Sequence, residues 1–289
     1  MDPTVHSCYE PTTGTWQYIV ACPSTKEAAI IDPVLDFDPV SLTISTASAD
    51  SLLDLVAQQG YTVRYLLETH AHADHLTASF YLQQKILASG QPRPSIGIGQ
   101  RIRLVQDTFA PKYNVPAEDL DAAFDRLLAD GERFSVGDVV VAVLALPGHT
   151  PDHVGYRIGA NVFTGDSIFN PDVGSARCDF PGGDARTLYR SMQTLLSLPP
   201  EYRLYTGHDY PPTADGDQKR DPLPYVTVAE QRERNRHAKD GSTEDAFVRW
   251  RSERDQGLRE PRLMHQAMQV NIRGGRMAKD APLRFPVGV

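Results

Sequence analysis

The sequence predicts an α/β protein built as an αββα sandwich, two mixed β-sheets face to face with helices outside. Three observations lead there. The chain has two β-rich halves, each followed by helices. A group of histidines stands at the carboxyl end of a strand, where open α/β sheets tend to carry their ligand sites. No repeat, low-complexity tract or long linker divides the 289 residues. Residues 1–289 are therefore expected to form one domain, with a helical and loop-rich C-terminal extension over about 215–289.

The elements follow in order. "TWQYIVACPSTKEAAIIDPV" reads as two strands, 16–22 and 27–32, joined by a turn at "PSTKE". "SADSLLDLVAQQG" places Leu52, Leu53, Leu55 and Val56 at helical spacing and ends on Gly60 as a C-cap. "YTVRYLLET" is the next strand and runs into "THAHADH". "LTASFYLQQKILAS" reads as a helix stopped by Gly90 and Pro92, with Asp74 and His75 at its start. Residues 95–130 read as helix or loop. "ERFSVGDVVVAVLALPG" is expected to be a β-meander, because its apolar run is too short to cross a membrane and too β-branched for a soluble helix. "HVGYRIG" and "NVFTGD" are two short strands around a turn at 159–161. "DARTLYRSMQTLLSL" is an amphipathic helix with Asp184 as N-cap, ended by Pro199 and Pro200. "YRLYTG" is a last buried strand. From about 228 the chain turns charged and helical, then finishes in a loop-rich segment whose "RGGRM" reads as a solvated turn.

Composition narrows the function. Forty per cent hydrophobic and 23% charged residues are ordinary for a globular protein. A net charge of −8 argues against a nucleic-acid partner, which requires clustered Lys and Arg. No run is long enough for a membrane span, and "MDPTVHSCYEPTTGTW" lacks a basic and an apolar signal region. Cys8, Cys22 and Cys178 are odd in number and widely spaced, which fits free thiols in a reducing compartment, by default the cytoplasm.

Five of the nine histidines fall into three short motifs at strand ends: "THAHADH", "PGHT" and "TGHD". A fourth, "FTGD", adds Asp166. Residues two apart in an extended loop point to the same side, so His70 and His72 can both reach inward, while Asp74 and His75 converge from another direction. A lone "GH" or "TGD" would be a surface turn. Burying this many imidazoles and carboxylates together without a metal would be costly, and both groups are ligands for Zn, Fe and Mn. His6, His237 and His265 have no ligand-like neighbours and read as surface residues; His153 reads as a structural hydrogen-bonder.

In their order, "THAHADH", "PGHT", "FTGD" and "GHDY" resemble the metal-ligand motifs of the metallo-β-lactamase superfamily, over roughly residues 15–215. The resemblance implies the αββα sandwich with a metal site in a cleft at its loop-bearing edge. More narrowly, "THAHADHLTAS", "LPGHTPDHVGY", "FTGDSIFNPDVGSARCDFPGGDARTLYRSM" and "YTGHDYPP" look like the persulfide dioxygenases of bacteria, as do "VAEQRERN" and "QVNIRGG". Those enzymes oxidise glutathione persulfide with O₂ to sulfite and glutathione. Carried over, the resemblance implies one Fe(II) per subunit on His70, His149 and Asp166. It makes His72, Asp74, His75 and His208 groups that orient the ligands. Arg177 would bind a substrate carboxylate, Tyr210 would hydrogen-bond near the substrate sulfur and take part in catalysis, and Thr150 would stand beside the substrate. The partners implied are small molecules, glutathione persulfide and O₂, with no nucleic acid or membrane, and a homodimer is allowed. Cys178, where a threonine is usual, reads as a small buried thiol.

The rival is a dinuclear zinc hydrolase of the glyoxalase II kind, a hydroxyacylglutathione hydrolase. All its residue types are present: His70, His72 and His149 for one ion, Asp74, His75 and His208 for the other, and Asp166 bridging. The segment after Asp166 favours the dioxygenase. A sensor without turnover would show a broken ligand set or an attached DNA-binding domain, and neither is visible in the sequence.

Overall fold

The computed structural model describes residues 2–211 and 220–278. The first half contains β1 (Thr4–Glu10), β2 (Thr15–Ala21), β3 (Glu27–Ile31), β4 (Val34–Asp38), β5 (Thr43–Ser45), α1 (Ala47–Gln59), β6 (Thr62–Leu67), β7 (Leu76–Thr77), α2 (Ser79–Ala88), β8 (Ser95–Gly99), α3 (Ile102–Tyr113), α4 (Ala117–Asp121) and β9 (Arg126–Leu128). The second contains β10 (Arg133–Val136), β11 (Val139–Ala145), β12 (Val154–Ile158), β13 (Asn161–Gly165), α5 (Ala185–Leu196), β14 (Arg203–Thr206), β15 (Tyr225–Thr227), α6 (Val228–Arg234), α7 (Glu244–Gln256) and α8 (Met264–Asn271). One six-stranded sheet runs β1-β2-β3-β6-β8-β9 and the other β10-β11-β12-β13-β14-β15; β4, β5 and β7 form a small third sheet.

Both large sheets are mixed, as expected. The first is antiparallel up to β3 and parallel from there, and the second has one parallel pair, β13 with β14. Their facing surfaces interdigitate: Tyr18, Ile31 and Leu67 from the first meet Val141, Val143, Tyr156, Phe163 and Tyr205 from the second. Each such side chain contributes roughly 1.5–3 kcal/mol on burial. On the outer faces, α1 and α2 cover the first sheet with Leu52, Val56, Leu82 and Ile86, and α5 covers the second with Leu188, Met192 and Leu195. No helix among the described residues is long and apolar enough to cross a membrane.

Local signals explain the elements that the sequence announces. α1 ends at Gly60 in the left-handed region, φ 66°. Asp184 caps α5 by accepting from Thr187 N, and Thr227 with Glu230 forms a capping box on α6. The differences are equally local. Asp74 and His75 precede β7, and the helix starts only at Ser79, so neither residue is helical. Residues 95–130 hold two strands as well as helices, because β8 ("SIGIG") carries little β signal and β9 is three residues long. β1, the β4–β5 pair and β15 lie outside the strands expected from the sequence, so β14 ("YRLYTG") is not the last strand.

"RGGRM" is not a solvated turn. Arg273 is 5% exposed and donates to Gln269 O and Asp119. Gly274 lies against the Ala123 carbonyl, where a side chain would have no room. The end of the loop-rich segment, 279–289, lies outside the described residues.

Candidate metal centre

Four loops meet at one edge of the sandwich because each follows a strand end. β6 delivers Glu68–His75, β11 delivers Pro147–His153, β13 delivers Asp166, and β14 delivers His208. Core aromatics fix two of these exits. Tyr156 donates its hydroxyl to Glu68 O at 2.6 Å, and Tyr18 donates to Thr206 O at 2.6 Å. Buried acids lock the loops to one another. Asp152 accepts from Ala71 N (2.8 Å), and Asp32 accepts from Thr69 N (2.7 Å) and Thr69 Oγ1 (2.8 Å). From the far end of the chain, Asn271 donates to the carbonyls of His72 and His75 (2.8 Å each) and accepts from Thr77 N.

Two donor sets result, beside a third group in which Asp32 and Glu68 share His72. His70, His149 and Asp166 offer ligand atoms that all lie within 4.8 Å of one another, and so do His72, Asp74, His75 and His208. Hydrogen bonding sets the tautomers. His149 Nδ1 lies 2.7 Å from Arg177 O, so it carries the proton and Nε2 keeps its lone pair. Thr69 gives its hydroxyl proton to Asp32, so it accepts from His70 Nδ1 (3.0 Å), and His70 Nε2 is likewise left as an acceptor. His72 donates from Nε2 to Asp32 (3.1 Å), with Glu68 at 3.5 Å. Its Nδ1 faces the second set. His75 Nδ1 is 3.4 Å from Asp74.

The buried atoms His70 Nε2, His72 Nδ1, His75 Nε2, His208 Nε2 and Asp166 Oδ1 have no hydrogen-bond partner. His208 Nε2 stands 3.1 Å from Asp74 and 3.6 Å from Asp166. Leaving one buried acceptor unsatisfied costs about 1–3 kcal/mol. Gathered in two neighbouring groups, these donors could hold a cation, and their chemistry fits a divalent metal.

Packing supports the ligands. His153 behaves as expected: its Nε2 accepts from Asp166 N at 3.0 Å, and its ring stacks on His70 at 4.7 Å. Gly207 is required because a Cβ there would stand 2.4 Å from Asp166 Oδ1. Burial and neighbouring imidazoles hold His70 well below the usual histidine range. For His72 burial works the same way, but the Asp32 charge and hydrogen bond outweigh it and carry the group well upward.

Tyr210 stacks on His208 (5.7 Å, 4°), with its ring half exposed, and burial of the hydroxyl together with the Asp74 and Asp166 charges pushes its pKa well up. Thr150 is fully buried beside Asp152. Arg177 does not present a free fork: its Nε and Nη2 hold Asp179, and Nη2 also donates to Arg259 O at 2.8 Å. Cys178 is buried, and that burial drives its thiol strongly upward.

Two cavities flank the centre. One of about 120 Å³ reaches His149 past Arg177, Phe180, Lys112 and Glu260; another of about 300 Å³ reaches His75 between Glu10, Phe37 and Arg262.

Three histidines expected at the surface are partnered instead. His6 bonds Tyr61 (2.9 Å), His265 bonds Tyr113 (2.7 Å), and His237 stacks on Trp250 at 3.6 Å. Sequence reasoning missed Asp32, Glu68, Asp152 and Asn271. "IIDP" and "TPDH" carried a signal, an acid next to an apolar strand or a ligand motif; Asn271 carried none.

The family model of the metallo-beta-lactamase superfamily matches residues 11–208. The chain is 44% identical over 99% of its length to a beta-lactamase hydrolase-like protein of Xylella fastidiosa, and it spans 65% of that relative. It is 41% identical to glyoxylase B2 of Dictyostelium discoideum, covering 93% of this chain and 89% of the other. It is 30% identical to the human mitochondrial persulfide dioxygenase ETHE1, covering 70% and 66%. Among solved structures, ETHE1 from Myxococcus xanthus superposes with a TM-score of 0.73 at 26% identity, covering 94% of this chain and all of that one.

Proposed function

The chain belongs to the metallo-beta-lactamase superfamily, and within it we propose that it is a non-haem Fe(II) persulfide dioxygenase oxidising glutathione persulfide with O₂ to sulfite and glutathione. One observation carries the reading: the first donor set is two imidazoles and one carboxylate, His70, His149 and Asp166, brought by three separate loops. That is the facial set of ferrous oxygenases, and an Fe(II) held there would supply the redox chemistry toward O₂ that zinc, with its filled d shell, lacks. His70 and His149 would hold the ion through Nε2 and Asp166 through its carboxylate. The persulfide dioxygenase relative and the Myxococcus xanthus structure support the assignment.

The remaining residues have derivable tasks. His72, Asp74, His75 and His208 orient the ligand loops. Tyr210 keeps its proton at neutral pH, so it can donate a hydrogen bond to the substrate sulfur. Thr150, fully buried beside Asp152, supports the His149 loop from within the fold and does not itself line the cavities. Arg177 shapes the cavity beside His149 by holding Asp179 and the Arg259 carbonyl. The net reaction consumes one persulfide, one O₂ and one water and yields glutathione, sulfite and two protons. The three unpaired thiols suit a reducing compartment, the cytoplasm.

The second donor set favours a second reading, a two-metal thioester hydrolase, and the Dictyostelium discoideum relative is named a glyoxylase. Metal analysis of anaerobically purified protein, with oxygen uptake on adding glutathione persulfide, separates the two. One iron per chain with persulfide-dependent uptake is expected. Two zincs with cleavage of a glutathione thioester would overturn the dioxygenase.

A further inference from the structure

Behind His208 runs a line of hydrogen-bonded side chains that holding the metal does not itself require. Glu10, at the end of β1, is buried. Its carboxylate accepts from Thr12 N (2.6 Å), Thr13 N (2.8 Å) and Thr13 Oγ1 (2.6 Å). Thr13 Oγ1 lies 2.7 Å from Thr15 Oγ1, which lies 3.3 Å from His208 Nδ1. The backbone holds the same register: Thr15 and His208 form an antiparallel bridge, and Trp16 N donates to Gly207 O at 2.8 Å.

The direction of this line follows from counting protons. A hydroxyl has one proton, and an ionised carboxylate only accepts. Burial opposes ionisation of Glu10, but the donations from Thr13 and Thr12 outweigh it and keep the carboxyl below its usual range. Thr13 spends its proton on Glu10. Thr15 must then donate to Thr13, and the Thr15 oxygen is left to accept from His208 Nδ1.

We propose that Glu10 is a positioning residue of the metal centre: through Thr13 and Thr15 it fixes the His208 proton on Nδ1 and turns the Nε2 lone pair toward Asp74 and Asp166. An anion behind an imidazole fixes its orientation and raises its basicity. Here two hydroxyls are interposed between them. The consequence is an acceptor held ready beside Asp166 for a proton or cation, specified from a β-turn far away in sequence. The inference rests on the proposed function only in placing turnover at this centre, and it holds with one metal or two.

The test is nuclear magnetic resonance of the full-length protein loaded with Zn(II), with ¹⁵N-labelled histidine. Wild type should show a slowly exchanging proton on His208 Nδ1. Thr15→Val removes the acceptor and Glu10→Gln weakens the anchor, so both should exchange that proton at least about tenfold faster, and Thr15→Ser should keep it protected. In the iron enzyme, kcat should fall about tenfold in the first two variants, with KM and metal content within about twofold.

A protected proton in Thr15→Val or in Glu10→Gln, or none in wild type, overturns the inference. So does a Thr15→Ser variant as impaired as Thr15→Val, since that would make the effect one of packing. Protection as expected in a wild type that takes up no oxygen with persulfide would sink the dioxygenase and leave this inference standing.

Discussion

The two donor sets share residue types and a few ångströms of space, yet they are backed differently. In the first, the imidazole protons of His70 and His149 go to a hydroxyl and a carbonyl, both neutral. In the second, His72 rests on Asp32 with Glu68 nearby, His75 on Asp74, and His208 on the line leading to Glu10. Burial and neighbouring imidazoles push His70 well down, and burial also lowers His75 despite Asp74, whereas His72 is carried well up by Asp32 and His208 upward, chiefly by Asp166 and Asp74. The difference teaches that identity alone does not assign chemistry to a histidine. An acid directly behind an imidazole raises its basicity, and burial among other imidazoles lowers it.

The largest effect should come from His70→Ala, which removes a ligand of the neutrally backed set. Metal should be lost and oxygen uptake should fall about a thousandfold or more. His75→Ala should keep one metal per chain and lose less activity. Equal metal loss in both variants, read by elemental analysis, would erase the distinction between the sets. Asp32→Asn strips the anion from behind His72 and disturbs its bonds to Thr69, and it should cost roughly 3 kcal/mol in a urea titration. A loss below about 1 kcal/mol would mean that the backing is ornamental.

Arg177→Ala should raise KM about tenfold with metal content intact, because the cavity wall beside His149 loosens. An unchanged KM would remove Arg177 from substrate binding. The smallest effect lies outside both sets. Burial and the charges of Arg236 and Arg251 bring His237 down to about 4, so between pH 6.5 and 4 the unfolded chain binds a proton that the folded one refuses. Stability should therefore fall as pH drops through that window, and His237→Asn should flatten the slope. An identical slope in the variant would show that burial does not hold the His237 proton off in the folded chain.

The fold was legible wherever a local pattern decides the structure. Gly60 stops α1 and Asp184 starts α5 by short-range chemistry, and the β-branched run of β11 leaves few alternatives. The metal-binding motifs were legible because several rare residue types cluster at strand ends. What stayed hidden depends on contacts between distant segments. The apparent surface turn "RGGRM" is buried because Arg273 finds Asp119 across 154 positions. Glu10 carried no signal in the sequence, and only the bridge between Thr15 and His208 brings it to the site. The guanidinium of Arg177 looked free because nothing in "SARCDF" shows that Asp179 turns back on it.

Asn271 grips the carbonyls of His72 and His75 from the last helix. The histidine loop therefore takes its final shape only once α8 has docked beside it. Whatever loosens α8 reaches the ligand loop through one amide, without touching any ligand side chain.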